Sequence, residues 1–291
     1  MTTEPDGAPE FRLTIADASD LLARFDREMR RSPPPEPNIE VEETGGVVRR
    51  RGPRGGTILF TASSSPTVVE EQTAFFRPLG LEVEWKVYGH DRTAPPPALL
   101  AAAGYLPAVE ETLLVADLSR PLSWGPRAAG VEVRRVRDRE ELDRAGAVSR
   151  AAFGEEDGRG LEEYAARLAD PGVALFLAYV DGVPAALGRL DTPADRSFAS
   201  LWGGGTTPPY RHRGVYRELV RVRADEARAR GYPFLYVEAR DTSRPILERL
   251  GFRAMGSITE WLWRPTGTAG ENPQGRPGAP PSPGAGPAAP L

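Results

Sequence analysis

Cysteine is missing altogether from this 291-residue chain, histidine occurs twice, methionine three times, and Lys86 is the only lysine. Each scarcity excludes something. Without thiols there is no disulfide framework, no cysteine nucleophile and no thiolate-bound zinc. His90 and His212 alone cannot build a histidine-rich metal centre, so no metal is expected. Long apolar runs are lacking as well: the run 173–180 is far too short to span a bilayer. Residues 1–6 are acidic, with none of the apolar core of a signal peptide. The expectation is a cytoplasmic protein with no membrane partner. The use of Arg in place of Lys reads as coding bias.

A net charge of −4 and a sequence pI of 5.5 argue against nucleic acid as a partner, because such binding needs clustered positive charge. The charge is nevertheless uneven. Between Arg211 and Arg230 seven Arg stand against Glu218, Asp225 and Glu226. The distal ones, Arg221, Arg223, Arg228 and Arg230, read as a solvated helix face, and only those at the helix start are placed for a ligand.

The length allows about two domains at roughly 150 residues each. Residues 1–10 read as a flexible start and 11–117 as a first domain. It holds a helix over 17–31, strands at 47–50 and 57–61, a helix at 68–76, a strand at 81–88, a helix at 97–103 and a strand at 111–116. Residues 118–130, with Pro121, Gly125, Pro126 and Gly130, form a linker. A second domain over 131–264 opens with a strand at 131–136 and helices at 139–153 and 161–168. Strands follow at 174–180, 184–190 and 198–202, then a helix at 215–230, a strand at 234–239, and last strands at 252–255 and 258–263. Residues 265–291 are rich in Pro and Gly and too poor in apolar side chains to order themselves. The two halves overlay at an offset of 147 residues, with Leu99 and Leu100 on Ile246 and Leu247, and Gly104 and Tyr105 on Gly251 and Phe252.

The segment Thr206-Thr207-Pro208-Pro209-Tyr210-Arg211-His212-Arg213-Gly214-Val215-Tyr216 joins an apolar strand to an Arg-rich helix through a glycine turn. A helix start offers unpaired backbone N–H groups and a positive dipole end, and Arg adds fixed forks for phosphate oxygens. Here the sequence resembles the Arg/Gln-x-x-Gly-x-Gly/Ala signature of the GNAT superfamily of acyl-CoA-dependent N-acetyltransferases. Ser243-Arg244-Pro245-Ile246-Leu247-Glu248-Arg249-Leu250-Gly251-Phe252 resembles that family's helix ending in Leu-Gly-Phe. The resemblance implies an α+β protein of two GNAT-like domains, each a mixed, mostly antiparallel sheet flanked by helices. The first half is then a degenerate copy, offering only Ser63 to Thr67 where the second has its glycine turn, and there a structural role is favoured.

The resemblance further implies acetyl-CoA as co-substrate, held by Thr206, Arg211, His212, Arg213, Gly214, Val215, Tyr216 and Ser243. The acetyl group would pass directly to a primary amine, the acceptor a small molecule. Gly203, Gly204 and Gly205 fall where the family's strand opens for the pantetheine arm, and a glycine run there permits a bulge. Glu238, at the end of its strand, is the candidate base, against the plainer reading of an ion pair with Arg240. Two departures stand out: Leu247 occupies the family's usual acidic Tyr position, and Tyr216 stands where Gly or Ala is usual. The missing acid leaves an alternative, a non-catalytic acyl-CoA-binding sensor or interaction module. Glu155, Glu156 and Asp157 lie in a loop that lines the family's substrate entrance, although exposed loop acids are common. Trp124 and Trp202 are candidates for an acceptor pocket or, preferably, for core packing. Phosphate-loop, dinucleotide-fold and nucleophile-elbow motifs are missing.

Overall fold

A computed structural model describes residues 15–53, 55–154, 165 and 170–265. The expected flexible start, the helix at 161–168 apart from residue 165, the acids Glu155, Glu156 and Asp157, and the tail apart from Pro265 lie outside the described residues. Eleven strands form one sheet in the order β1-β2-β3-β4-β11-β5-β10-β9-β8-β7-β6. In chain order these are β1 Glu40–Thr44, β2 Val47–Gly52, β3 Gly55–Thr61, β4 Val83–Tyr88, β5 Leu106–Asp117, β6 Val131–Arg135, β7 Val173–Val180, β8 Val183–Asp191, β9 Phe198–Thr206, β10 Phe234–Ala239 and β11 Arg253–Trp263. The helices are α1 Ile15–Phe25, α2 Pro66–Phe76, α3 Pro97–Ala102, α4 Arg139–Phe153, α5 Val215–Ala229 and α6 Arg244–Leu250.

The strand order is nearly palindromic, and so are the pairings. β3 and β4 run parallel, joined by the crossover through α2, and β9 and β10 run parallel, joined through α5. β4 then pairs antiparallel with β11 and β10 pairs antiparallel with β5, while β5 and β11 pair with each other at the centre. Each half of the sheet is therefore completed by the last strand of the other half. Lys86 lies opposite Glu260, and Glu238 opposite Leu113, which precedes Glu260 by the same 147-residue offset. Lys86 and Glu238 are thus equivalent positions, and they meet: Nζ lies 2.5 Å from Oε2.

Strand alternation sorts the side chains onto two faces. Leu114, Ala116, Leu235, Val237, Ala239 and Leu201 pack on α5 and α6. Trp85, Trp261, Trp263, Phe76 and Tyr105 build the matching core under α2 and α3. On the opposite face, Phe25 and Met29 lie on Tyr88, Leu113, Val115, Phe198, Tyr236 and Ile258. Beside them α4 covers Leu175, Leu177, Tyr179 and Leu187 through Leu142, Ala145 and Val148.

Three expectations are corrected. The first helix ends at Phe25, and Asp26–Arg31 form a π-helical turn that aims Arg30 into the sheet. The two strands expected at 252–255 and 258–263 are one, because ladders to β5 and β4 on both sides keep the chain extended while bulges at Ala254/Gly256 and Thr259/Trp261 absorb the glycine. β1, a strand the pattern did not mark, escapes it because three of its five residues are acids and all its side chains but Glu42 are exposed, so no apolar face alternates.

Lys86 is 7% exposed and touches Glu84 at 3.4 Å and Glu260 at 3.4 Å besides Glu238. Removing it strands buried carboxylates. Lys86→Met should lower unfolding free energy by about 3–5 kcal/mol, whereas Lys86→Met combined with Glu238→Met should recover much of that loss; urea unfolding of both variants checks this.

Candidate functional site

β9 and β10 pair only from Phe198/Phe234 to Ser200/Tyr236. Beyond that point β9 continues to Thr206 against β8, and β10 continues to Ala239 against β5, so a gap opens between two parallel strands. The glycine run makes it possible: Gly203 sits at φ +53°, and the β8–β9 register slips between Leu187/Gly205 and Arg189/Trp202. That is the bulge expected from the sequence.

One continuous groove runs from this gap, past Trp202, Gly204, Tyr216 and Ser243, to the start of α5 at Gly214. Gly214 takes φ +77° as the helix's N-cap and brings no side-chain cap, so the first-turn N–H groups of α5 have no intrahelical partner. His212, also left-handed at φ +61°, lies exposed with Arg211 at the mouth, and Arg213 is exposed beside them. Arg211 Nε donates to Thr206 O at 3.1 Å, and Arg213 lies 5.5 Å over the Tyr210 ring. Thr206 Oγ1 is buried without a hydrogen-bond partner, and Val215 is core. Tyr216 turns inward beneath Gly204, where burial raises its pKa. Ser243 does not cap α6 with its side chain; its hydroxyl donates to Arg240 O at 3.2 Å. Leu247 is fully buried and offers no proton. Seven of the eight residues expected to hold a cofactor border one groove; Arg213 does not, its guanidinium lying 3.7 Å from Asp181.

The first half has the same strand opening, with a side chain placed in it. β3 and β4 part after Ile58/Trp85, but Arg30 fills the space on one side, donating to Leu59 O at 3.0 Å and to both Asp91 oxygens at 2.7 Å, with the Tyr88 ring 3.9 Å away. Where the two strands still pair, Phe76 lies against Gly56, 2.1 Å from where a Cβ would sit. The start of α2 is occupied by its own cap, Thr67 N–H donating to Ser65 Oγ at 3.3 Å. Ser63 to Thr67 therefore serve structure.

Glu238 is not paired with Arg240, which lies 3.7 Å from Glu111 instead. It holds Lys86 and accepts the Tyr88 hydroxyl at 2.5 Å. Glu111, Glu238 and Glu260 bring carboxylate oxygens within 4.8 Å of one another, and the Lys86 ammonium stands among them as their cation. Burial, then the charge of Glu238, pushes Glu111 up to about 7. Burial, then the charge of Glu84, pushes Glu260 up to about 8. Burial alone would lower Lys86, yet Glu238 and its neighbours hold it well above its ordinary value. Lys86, Tyr88, Glu111 and Glu260 were missed in the sequence. The single lysine alternating with Glu84 and Tyr88 on one strand face was the available signal. Trp202 half-lines the groove and donates from Nε1 to Ser200 Oγ at 2.8 Å, while Trp124 sits in the linker against α5. No helix among the described residues is long and apolar enough to cross a membrane.

A helix start of this kind, with unpaired backbone N–H groups, feeds a gap between two parallel strands. Residues 140–252 match the model of the acetyltransferase (GNAT) family. In fold the chain is similar to a GCN5-related N-acetyltransferase from Kribbella flavida, at 19% identity and TM-score 0.59 over 86% of this chain and 95% of that one. It is similar also to a GCN5-related N-acetyltransferase from Sphaerobacter thermophilus, at 14% identity and TM-score 0.54 over 78% and 76%. A tandem GNAT protein from the clavulanic acid biosynthesis pathway shares 13% identity at TM-score 0.55 over 79% and 84%. No curated protein matches the chain. The C-terminal half carries a domain of the acetyltransferase (GNAT) family, whose chemistry is acyl transfer.

Glu111 and Glu260 bind protons more tightly folded than unfolded. Their contribution to stability is complete below the ordinary carboxylate range near 4.5 and is lost as pH rises through about 7 and 8. The melting temperature should fall over that window, and Glu260→Gln should flatten the fall. At pH 8 the gain is roughly 2–4 °C for each kcal/mol recovered, readable by calorimetry at several pH values.

Proposed function

We propose that the C-terminal half binds an acyl-CoA, with acetyl-CoA as the reference donor, and passes its acyl group directly to the primary amine of a small molecule. The observation that carries this is the uncapped start of α5 at Gly214, joined by a single groove to the β9–β10 gap. The diphosphate belongs at the first-turn amides, with Arg211 and Arg213 beside it. The arm belongs in the gap, where glycines leave the backbone bare and Thr206 and Ser243 add polar groups. The thioester supplies an activated acyl carbon; the protein's task is to hold it still and bring a neutral amine to it.

An alkyl amine arrives as a cation and must lose a proton. The acidic wall of Glu111, Glu238 and Glu260, outnumbering Lys86, draws such a cation in. Glu238, committed to Lys86 and Tyr88, fixes the wall, and Glu111, with a pKa of about 7, is the neighbour poised to take the proton. The N-terminal half we take to be a degenerate copy of the same domain with Arg30 in its cleft, and the protein to work in the cytoplasm.

Leu247 favours a second reading, a non-catalytic acyl-CoA sensor, since no acid is present at that position. Calorimetric titration should show acetyl-CoA binding. Arg211→Glu with Arg213→Glu should weaken it at least tenfold, about 1.4 kcal/mol. Thiol release should appear with some member of a panel of amines. Unchanged affinity in the double variant sinks the site, and tight binding without turnover on any amine transfers support to the sensor.

A further inference from the structure

Arg223, on the third turn of α5, is 1% exposed and has no carboxylate against it among the described residues. Its Nε donates to Leu219 O at 3.1 Å and its Nη1 to Arg189 O at 3.1 Å, but Nη2 is buried with no hydrogen-bond partner. Burial drags its pKa down to about 10, so it remains a cation at neutral pH. Two glycines make room for it. A Cβ on Gly188 would lie 2.6 Å from Nη1, and one on Gly204 would lie 3.4 Å from Nη2. That same point above Gly204 is 3.7 Å from the Tyr216 hydroxyl. A guanidinium N–H and a phenol thus converge beside the β9 bulge, and both residues line the groove.

A buried charge without a partner is costly, and a protein keeps one where something else completes it. The Arg223 side chain folds back along α5, Nε on Leu219 O, so its guanidinium lies beside Gly204 of β9, past the last β9–β10 pair at Ser200/Tyr236. An arm that enters the β9–β10 gap from a diphosphate at Gly214 passes Gly204 and so brings its acyl end beside Arg223 and Tyr216. A methyl group there would leave Nη2 as unsatisfied as before. A carboxylate would accept from both Arg223 and Tyr216.

We propose that the donor preferred at this site is a thioester whose acyl group ends in a carboxylate, a dicarboxylic acyl chain of three or four carbons, recognised by Arg223 with Tyr216. The inference rests on the acyl-CoA reading above and names the donor class of that same groove. It accounts for Tyr216 standing where its relatives' signature has a small residue, and for the absence of an acid beside Arg223.

The test is binding of malonyl-CoA, succinyl-CoA, acetyl-CoA and butyryl-CoA to the full chain, measured by calorimetry. Malonyl-CoA or succinyl-CoA should bind at least tenfold tighter than both neutral thioesters. In Arg223→Met that ratio should fall toward one, and in Tyr216→Phe, the gentler change, it should fall severalfold. Neutral thioesters binding as well as the carboxylated ones in the unaltered protein, or a preference that survives both substitutions, overturns the proposal while leaving acyl-CoA binding intact. Failure of all four thioesters to bind overturns both readings together. Thermal unfolding of each variant separates lost recognition from lost fold.

Discussion

The exchange of β5 and β11 between the halves is the constraint on which the rest of the structure depends. Neither β4 nor β10 finds its antiparallel neighbour within its own half, so neither half closes a sheet alone. At the seam the equivalent positions 86 and 238 face each other, and there an apolar pair would have sufficed for packing. A Lys and a Glu stand there instead, with Glu84, Glu111, Glu260 and Tyr88 around them. One ammonium offsets several carboxylates only partly, and the excess explains why two of them hold protons near neutrality. A cluster costly to desolvate is in this way placed at the edge of the β9–β10 gap, where an incoming cation has most to gain.

The same opening of a parallel strand pair occurs twice, and the chain treats the copies differently. In the first half Arg30 occupies the opening, and Ser65 satisfies the start of α2. In the second, Gly203, Gly204 and Gly214 stand where filling or capping groups would be needed. Leaving such a cleft open costs packing and exposes backbone polar groups, which a stable core resists. The filled copy, locked to the open one through two shared strands, supplies the rigid frame that a preformed site requires.

Much of this was legible in the sequence because it is local. Alternation on β6, the continuous apolar run of β7, the glycine run before Thr206 and the Arg-His-Arg-Gly turn each write their geometry into a few neighbouring residues, and the structure follows them. The exchange of β5 and β11 left no such mark, since the register of a strand says nothing about which distant strand lies beside it. The partners of Glu238 were hidden for the same reason: Lys86 and Tyr88 are 152 and 150 residues away. Gly256 looked like a turn and is a bulge, because two flanking ladders outweigh one flexible residue. The buried state of Arg223 was likewise invisible, as a helix face rich in Arg reads as solvated until the two glycines that receive it are placed in space.

The linker, too, does more than join. It runs across α5, where Arg221 donates to Trp124 O and Gly125 O at 3.2 and 3.0 Å and Arg217 donates to Pro126 O at 2.6 Å. Glu218, 3% exposed in the first turns of α5, accepts from Ala128 N at 3.0 Å and from Arg127 at 3.3 Å. An acid near a helix start ordinarily competes with a bound anion for the positive end of the dipole. Here Arg127, Arg217 and Arg221 surround Glu218, so its charge is answered from the linker side. The first-turn amides and Arg211 are left to the groove. The segment that connects the halves therefore also sets the electrostatics of the helix end on which ligand binding would turn.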